Sequence, residues 1–519
     1  MVGLPNRAGR CTICRRIKAK CDLSRPACLR CRRLGLRCEY LVIQQGQIFI
    51  NRSVTDPFVS AVDIFSNAAK TKLLVNSGLK HTAPSYIYHS ESLKHSIPTS
   101  PNPAPVHRMQ LLSKFLDVYF PIAAQAPTRA SQTTCWVYAL PNISLTNCAY
   151  NTSLEALCVA QIGLWNHDPV LVKESSQLYG SALGELRKTV GGRKLVAPEA
   201  TLASTVILST YELFSGQSSQ NYSLSHVQGG SQILQILGPS VYETPAGRIL
   251  CANIRTATII QAFRSRRRSA LPGQEWERCA RDHEGHGLYY HLQDLMIQLP
   301  SIMEALDMLT TSPNKTTEVP ILIRLLHLCS SLNWQLLAWS GKLKTLVHGP
   351  LYWTVPSVAV NPADDPVLGR MFPLAFQFPS LIIAWYLLLY WSMLILLYRT
   401  IQDIQKRLKS QVTRGITPQH SFDLQDTYRS ELDSDNSCPS DDGIASLANN
   451  ISQSFEYCYR TEHGTLGYQS TLFALWVVQG FYKSQPNRAR ELAWCSELGN
   501  TTASNSRFDL RVMKLSGDG

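Results

Sequence analysis

The stretch Cys11-Thr-Ile-Cys14-Arg-Arg-Ile-Lys-Ala-Lys-Cys21-Asp-Leu-Ser-Arg-Pro-Ala-Cys28-Leu-Arg-Cys31-Arg-Arg-Leu-Gly-Leu-Arg-Cys38 decides how the N-terminal end of this chain is read. Its cysteines follow Cys-x2-Cys-x6-Cys-x6-Cys-x2-Cys-x6-Cys, two halves of one form. Residues 1–10 lack the apolar run of a secretory leader, so a reducing compartment is expected. Clustered thiols are then metal ligands rather than disulfide partners. Six thiolates can surround two tetrahedral zinc ions only if two of them are shared. The cations between the thiolates offset the negative charge of such a cluster. They also lower thiol pKa, which favours metal binding at neutral pH.

The charge balance gives that stretch a partner. The chain has 519 residues, with 50 Lys+Arg against 37 Asp+Glu, a formal net charge of +13. Residues 1–40 hold +9 of it, so a polyanion-binding module is expected on a near-neutral body. An apolar content of 45% excludes global disorder, and the length excludes a mini-protein. The other cysteines, from Cys135 to Cys495, follow no pattern.

The expected organisation is a cysteine-rich module over 7–42, a polar linker over 43–105, a helical body over 106–485 and a tail over 486–519. Within the linker, Ile64-Phe65 to Leu73-Leu74-Val75 has the spacing of a short helix, and no sustained heptad supports a coiled coil. Leu111, Leu112, Phe115, Leu116 and Tyr119 form one apolar helical stripe, stopped by Pro121. Further helices are predicted from Pro198 to Gly216 and from Leu224 to Leu237, the latter ended by Gly238-Pro239. Ile321–Leu346 and Phe455–Tyr482 are also predicted helical. Residues 409–450 are polar and acidic and read as a disordered insertion. The predicted fold class is mainly α: a small N-terminal binuclear zinc cluster domain and a large all-α body.

Cys11-Thr-Ile-Cys14-Arg15-Arg16-Ile17-Lys18-Ala19-Lys20-Cys21-Asp22, Pro26-Ala-Cys28-Leu-Arg-Cys31 and Cys38-Glu-Tyr40 resemble the binuclear zinc cluster of fungal Zn2Cys6 transcription factors. The resemblance implies two Zn²⁺ held by Cys11, Cys14, Cys21, Cys28, Cys31 and Cys38, with Cys11 and Cys28 bridging. It implies a short helix over Arg15–Lys20 in the DNA major groove and Lys18 as the reader of CGG triplets. Ile17 departs from a position that is often basic in the family. A lysine donor suits the guanine O6 and N7 acceptors. Arg15, Arg16, Lys20 and Arg33 suit phosphates, which add affinity but no sequence information.

Behind the cluster, Tyr179-Gly-Ser-Ala-Leu-Gly-Glu-Leu186, Leu202 with Tyr211-Glu-Leu213, His226-Val-Gln-Gly-Gly230, Leu237-Gly238-Pro239 and Arg255 through Glu275-Trp276 resemble the helical regulatory domain of fungus-specific transcription factors. The resemblance implies a nuclear regulator of RNA polymerase II genes, an activator by family analogy, acting on a biosynthetic or catabolic gene cluster. Its expected partners are double-stranded DNA, co-regulators or the transcription machinery, and a second copy as homodimer. Repression and a ligand-responsive sensor are the alternatives. Asp423–Asp442 is a candidate activation segment, with a solvated loop as the plainer reading.

Three other stretches invite different readings. Leu381–Tyr398 carries no charge over 18 residues and could span a membrane. Its internal Trp385, Tyr386, Tyr390 and Trp391 favour a buried central helix, so no membrane partner is expected. Asp282-His283-Glu284-Gly285-His286 lacks the i, i+4 histidine pair of a zinc hydrolase and reads as a polar loop. Arg264-Ser-Arg266-Arg267-Arg268 reads as a helix C-terminus. No catalytic motif is present, and the chain is not expected to be an enzyme.

Overall fold

The computed structural model describes residues 14, 21, 22, 24, 28–36, 38, 104–121, 135–144, 146–191, 197–215, 220–271, 287–311, 318–365, 367–413 and 439–505. Compact units divide at Ser92 and Leu93. In the first unit, helix α1 (Leu29–Arg33) follows Cys28. The chain turns out of it at Gly35, whose φ of +62° is a left-handed conformation that glycine adopts without Cβ strain.

The second unit is mainly helical. In chain order it contains α2 (Ala104–Tyr119), a 3-10 turn (Trp136–Asn142), α3 (Cys148–Trp165), α4 (Pro169–Val190), α5 (Pro198–Ser215), α6 (Gln220–Leu237) and α7 (Pro245–Ser265). Then follow α8 (Gly287–Met296), α9 (Leu299–Thr311), α10 (Glu318–Leu346), a hairpin of β1 (Trp353–Pro356) and β2 (Leu374–Gln377), and α11 (Leu381–Thr413). The last helices are α12 (Asp441–Cys458), α13 (Gly464–Lys483) and α14 (Ala489–Asn505).

Local chemistry starts several of these helices. The Asn147 side chain accepts from the Tyr150 amide at 2.9 Å ahead of α3. Asp168 accepts from the Val170 amide at 2.8 Å, and Pro169 takes the first position of α4, where its missing N–H costs nothing. Thr244 and Pro245 repeat the arrangement for α7.

The core centres on α11, which packs against α10, α12 and α13. Ala384, Leu388, Met393, Ile395 and Leu397 are fully buried on it. Of its most apolar window, 83% is buried. The uncharged run Leu381–Tyr398 is thus a core helix. By length and composition both α10 and α11 could cross a membrane, and the α10 window is 33% buried.

The structure departs from the sequence expectations at four places. The run Phe455–Tyr482 is two helices, broken between Tyr459 and His463, and Gly464 at φ +54° starts the second. Helix enters the acidic stretch at both ends. Gln411 is buried on α11 and donates to Glu318 at 2.6 Å, while Ile444, Ala445, Ala448 and Ile451 give α12 an apolar stripe. Asp441 and Asp442 occupy the first turn of α12, where the helix dipole favours acids. Past residue 485, α14 buries Trp494, Cys495 and Leu498. A hairpin interrupts the helices, pairing Trp353 with Gln377 through Pro356 with Leu374 in antiparallel register. Residues 64–75, Asp423–Cys438 and the His283 loop lie outside the described residues.

Candidate metal centre

Six cysteines spaced in two like halves predict a shared metal site, and five of them are described. Cys14, Cys28 and Cys31 are fully buried, with Cys21 and Cys38 packed against them. The thiols of Cys14, Cys28 and Cys31 lie within 4.8 Å of one another. So do the ligand atoms of Cys21, Asp22 and Cys28. Cys28 belongs to both groups.

Distances fit zinc. The Cys14 and Cys28 sulfurs are 3.8 Å apart. Two thiolates on one tetrahedral zinc, each at about 2.3 Å, stand about 3.8 Å from each other. The donor set is all sulfur, with one carboxylate beside it. Cys11 lies outside the described residues, as do Arg15, Arg16, Lys18 and Lys20.

The backbone orients the shared sulfur. Cys28 is the N-cap of α1, and its Sγ accepts from the Cys31 amide at 3.4 Å. The Cys28 amide in turn donates to Cys38 Sγ at 3.3 Å, which ties the last cysteine back to the middle one. Donation from backbone amides stabilises a thiolate over a thiol.

Asp22 is a functional residue the sequence reading passed over. Its two carboxylate oxygens accept from the Leu29 amide at 3.0 and 3.2 Å, linking the third cysteine's neighbour to the start of α1. The hydrogen bond from Ser24, followed by the Leu29 amide, holds its carboxyl below the ordinary range. The signal available was an acid next to the third cysteine, seven residues ahead of a helix start.

Helix α1 carries Cys31 on its buried face and exposes Arg30, Arg32 and Arg33. Arg33 was expected to face phosphate, and its exposure suits that role. Arg30 and Arg32, unassigned from sequence, offer the same chemistry beside it.

In the second unit, the resembling motifs converge. Tyr179 donates to Glu212, and His226 Nε2 lies 3.0 Å from the Tyr179 hydroxyl and 3.1 Å from Glu212. Tyr179 stacks on Tyr211 with ring centroids 4.6 Å apart. Arg255 is buried against Asp294, 2.6 Å away. The basic run after Phe263 is a helix end, with Arg266 in the left-handed conformation. Arg266 pairs with Asp307 at 2.8 Å and Arg267 with Glu304 at 3.4 Å.

Residues 10–47 match the fungal Zn(2)-Cys(6) binuclear cluster domain, and residues 93–447 match the fungal specific transcription factor domain. A cluster domain of that kind binds two zinc ions, and the five described cysteines gather as its ligands would. No curated protein and no solved structure matches the chain.

Proposed function

The chain belongs to the fungal specific transcription factor family and is a DNA-binding transcription regulator; on that premise we propose how it finds its sites. The cluster over 7–42 docks in the major groove and reads a CGG-like triplet through Lys18. Arg15, Arg16, Lys20 and Arg33 position it on the phosphates. Cys11 and Cys28 bridge the two zinc ions, and Cys14, Cys21, Cys31 and Cys38 complete the tetrahedra. The membership of Cys28 in both thiol groups, at the cap of a helix with exposed arginines, carries this reading.

The linker over 43–105 tethers the cluster to the helical body over 106–485, which meets co-regulators. The protein acts in the nucleus, without a membrane tether, and activates RNA polymerase II genes of a biosynthetic cluster. A homodimer would set half-site spacing. Families of transcription factors are not enzymes, so the zinc ions serve folding and not catalysis.

Binding-site selection with the full zinc-loaded chain tests the docking. Lys18→Ala should lose about 1–3 kcal/mol of discrimination for CGG over mismatched triplets. An unaltered selection profile would overturn Lys18 as the reader.

A further inference from the structure

Between α5, α6, α7, α8, α11, α13 and the 3-10 turn lies a cavity of about 230 Å³. Its walls are chiefly apolar and aromatic, with Trp136, Tyr289, Trp385, Phe473 and Trp476 among them. The volume exceeds the roughly 150 Å³ of an apolar cavity that takes benzene. Space of this size holds a fused pair of rings.

The polar groups in the wall are unevenly charged. No described lining residue carries a carboxylate, and the one guanidinium is that of Arg264. Its neighbours on the same helix end are engaged: Arg266 with Asp307, Arg267 with Glu304. No acid pairs with Arg264 among the described residues. Partial burial strips water from its guanidinium and lowers its pKa from the ordinary value. Ser209 and Gln261 also line the cavity and make no hydrogen bond among the described residues. His226 is held in the opposite sense, turned to Tyr179 and Glu212. The unmatched charge in the wall is therefore positive, at one point, beside an apolar space.

We propose that this cavity binds a small aromatic carboxylate, its rings in the apolar space and its carboxylate on the Arg264 guanidinium. An apolar body supplies burial, and the planar fork of arginine matches two carboxylate oxygens. The same wall reaches the start of the helical body. Gln469 accepts from the Tyr119 hydroxyl at the end of α2, and Trp136 Nε1 donates to that hydroxyl at 3.0 Å. This site goes beyond the DNA reading and stands apart from it.

The test uses the full zinc-loaded chain, with 2-naphthoate as probe and the neutral 2-naphthylmethanol as its control. Tryptophan fluorescence reads binding, because three tryptophans line the cavity. Naphthoate should quench saturably with Kd below about 1 mM, and the alcohol should bind about ten-fold more weakly or worse, as a charge-assisted hydrogen-bonded pair implies. Arg264→Gln should bring the acid down to the affinity of the alcohol while leaving the unliganded melting temperature unchanged, since this side chain forms no ion pair among the described residues that the substitution would break. Ala257→Phe, which fills the space, should remove both. Absence of saturable binding, equal affinity for acid and alcohol, or a preference that survives Arg264→Gln would each overturn the site. None of these outcomes touches DNA binding, which is read separately by zinc content and site selection.

Discussion

The two units of this molecule bury opposite things. In the first, the sulfurs of Cys14, Cys28 and Cys31 are inside, while Leu29, Leu34 and Leu36 are 55%, 50% and 41% exposed. In the second, the largest fully buried side chains include Trp339, Phe115, Tyr119 and Phe263, and a helix of apolar residues runs through the centre. The described residues around the cysteines, with these three leucines in water, draw little stability from apolar burial. Around the cluster, metal–thiolate bonds are the expected source of order. The body draws on apolar burial and follows the ordinary rules of helix packing.

Stripping zinc from the full chain breaks the comparison most sharply. Structural zinc in small modules contributes on the order of 10–16 kcal/mol, so chelation should abolish specific DNA binding altogether. Far-UV helicity and the main thermal transition should persist, because they report the body. Cys28→Ala should act in the same way, since the lost thiol serves both ligand groups. Collapse of the body on chelation would show that the two units are not independently held.

Asp294→Ala should do the reverse. Arg255 is 2% exposed, and its Nη1 and Nε have no hydrogen-bond partner among the described residues, so Asp294 is its main compensation there. Removing that partner leaves a buried cation and should cost about 3–5 kcal/mol in denaturant melts. Zinc content should stay unchanged.

A smaller effect separates the units by pH. Burial lowers the pKa of His463 from an ordinary 6.5 to about 4, beside Tyr457, Glu462 and Arg460. Between those values the unfolded chain takes up a proton that the folded one refuses. Stability contributed by the neutral imidazole is therefore full above pH 6.5 and falls as pH drops toward 4. Denaturation midpoints at about pH 7 and about pH 5 should differ less in His463→Gln than in the natural chain.

The smallest expected effect is that of Arg33→Ala. Exposed on α1, it should weaken binding to all sequences alike and reduce the salt slope by about one. A change in sequence preference instead would move this arginine from phosphate to base.

Much of the metal centre was legible because ligand chemistry imposes spacing. Tetrahedral sharing of thiolates accounts for six cysteines in two halves, and the structure brings Cys28 near the ligand atoms of two groups. The body was legible where apolar residues recur at helical spacing, as at Phe115 and Tyr119. Composition misled at Asp441 and Asp442. Two acids after a serine look like part of a solvated loop, yet Ser440 caps α12 and the acids sit on its positive end. A test for spacing in Ile444, Ala448 and Ile451 would have found that helix. The hairpin was not legible, because strands of this length, one with a proline in it, carry too little alternation to register.

By itself, the sequence marked six thiols as one metal module, set +9 of the chain's charge around it, and gave most of the body a helical pattern. Those properties are local: they depend on spacing, on charge per segment and on periodicity. Only the tertiary structure decided that Leu381–Tyr398 lies at the centre of a core, and that Tyr179, Glu212 and His226 meet across three helices. It also left Arg264 facing a cavity while Arg266 and Arg267 found acids. Burial and pairing depend on which distant segments pack together, and a linear pattern of side chains does not carry that information.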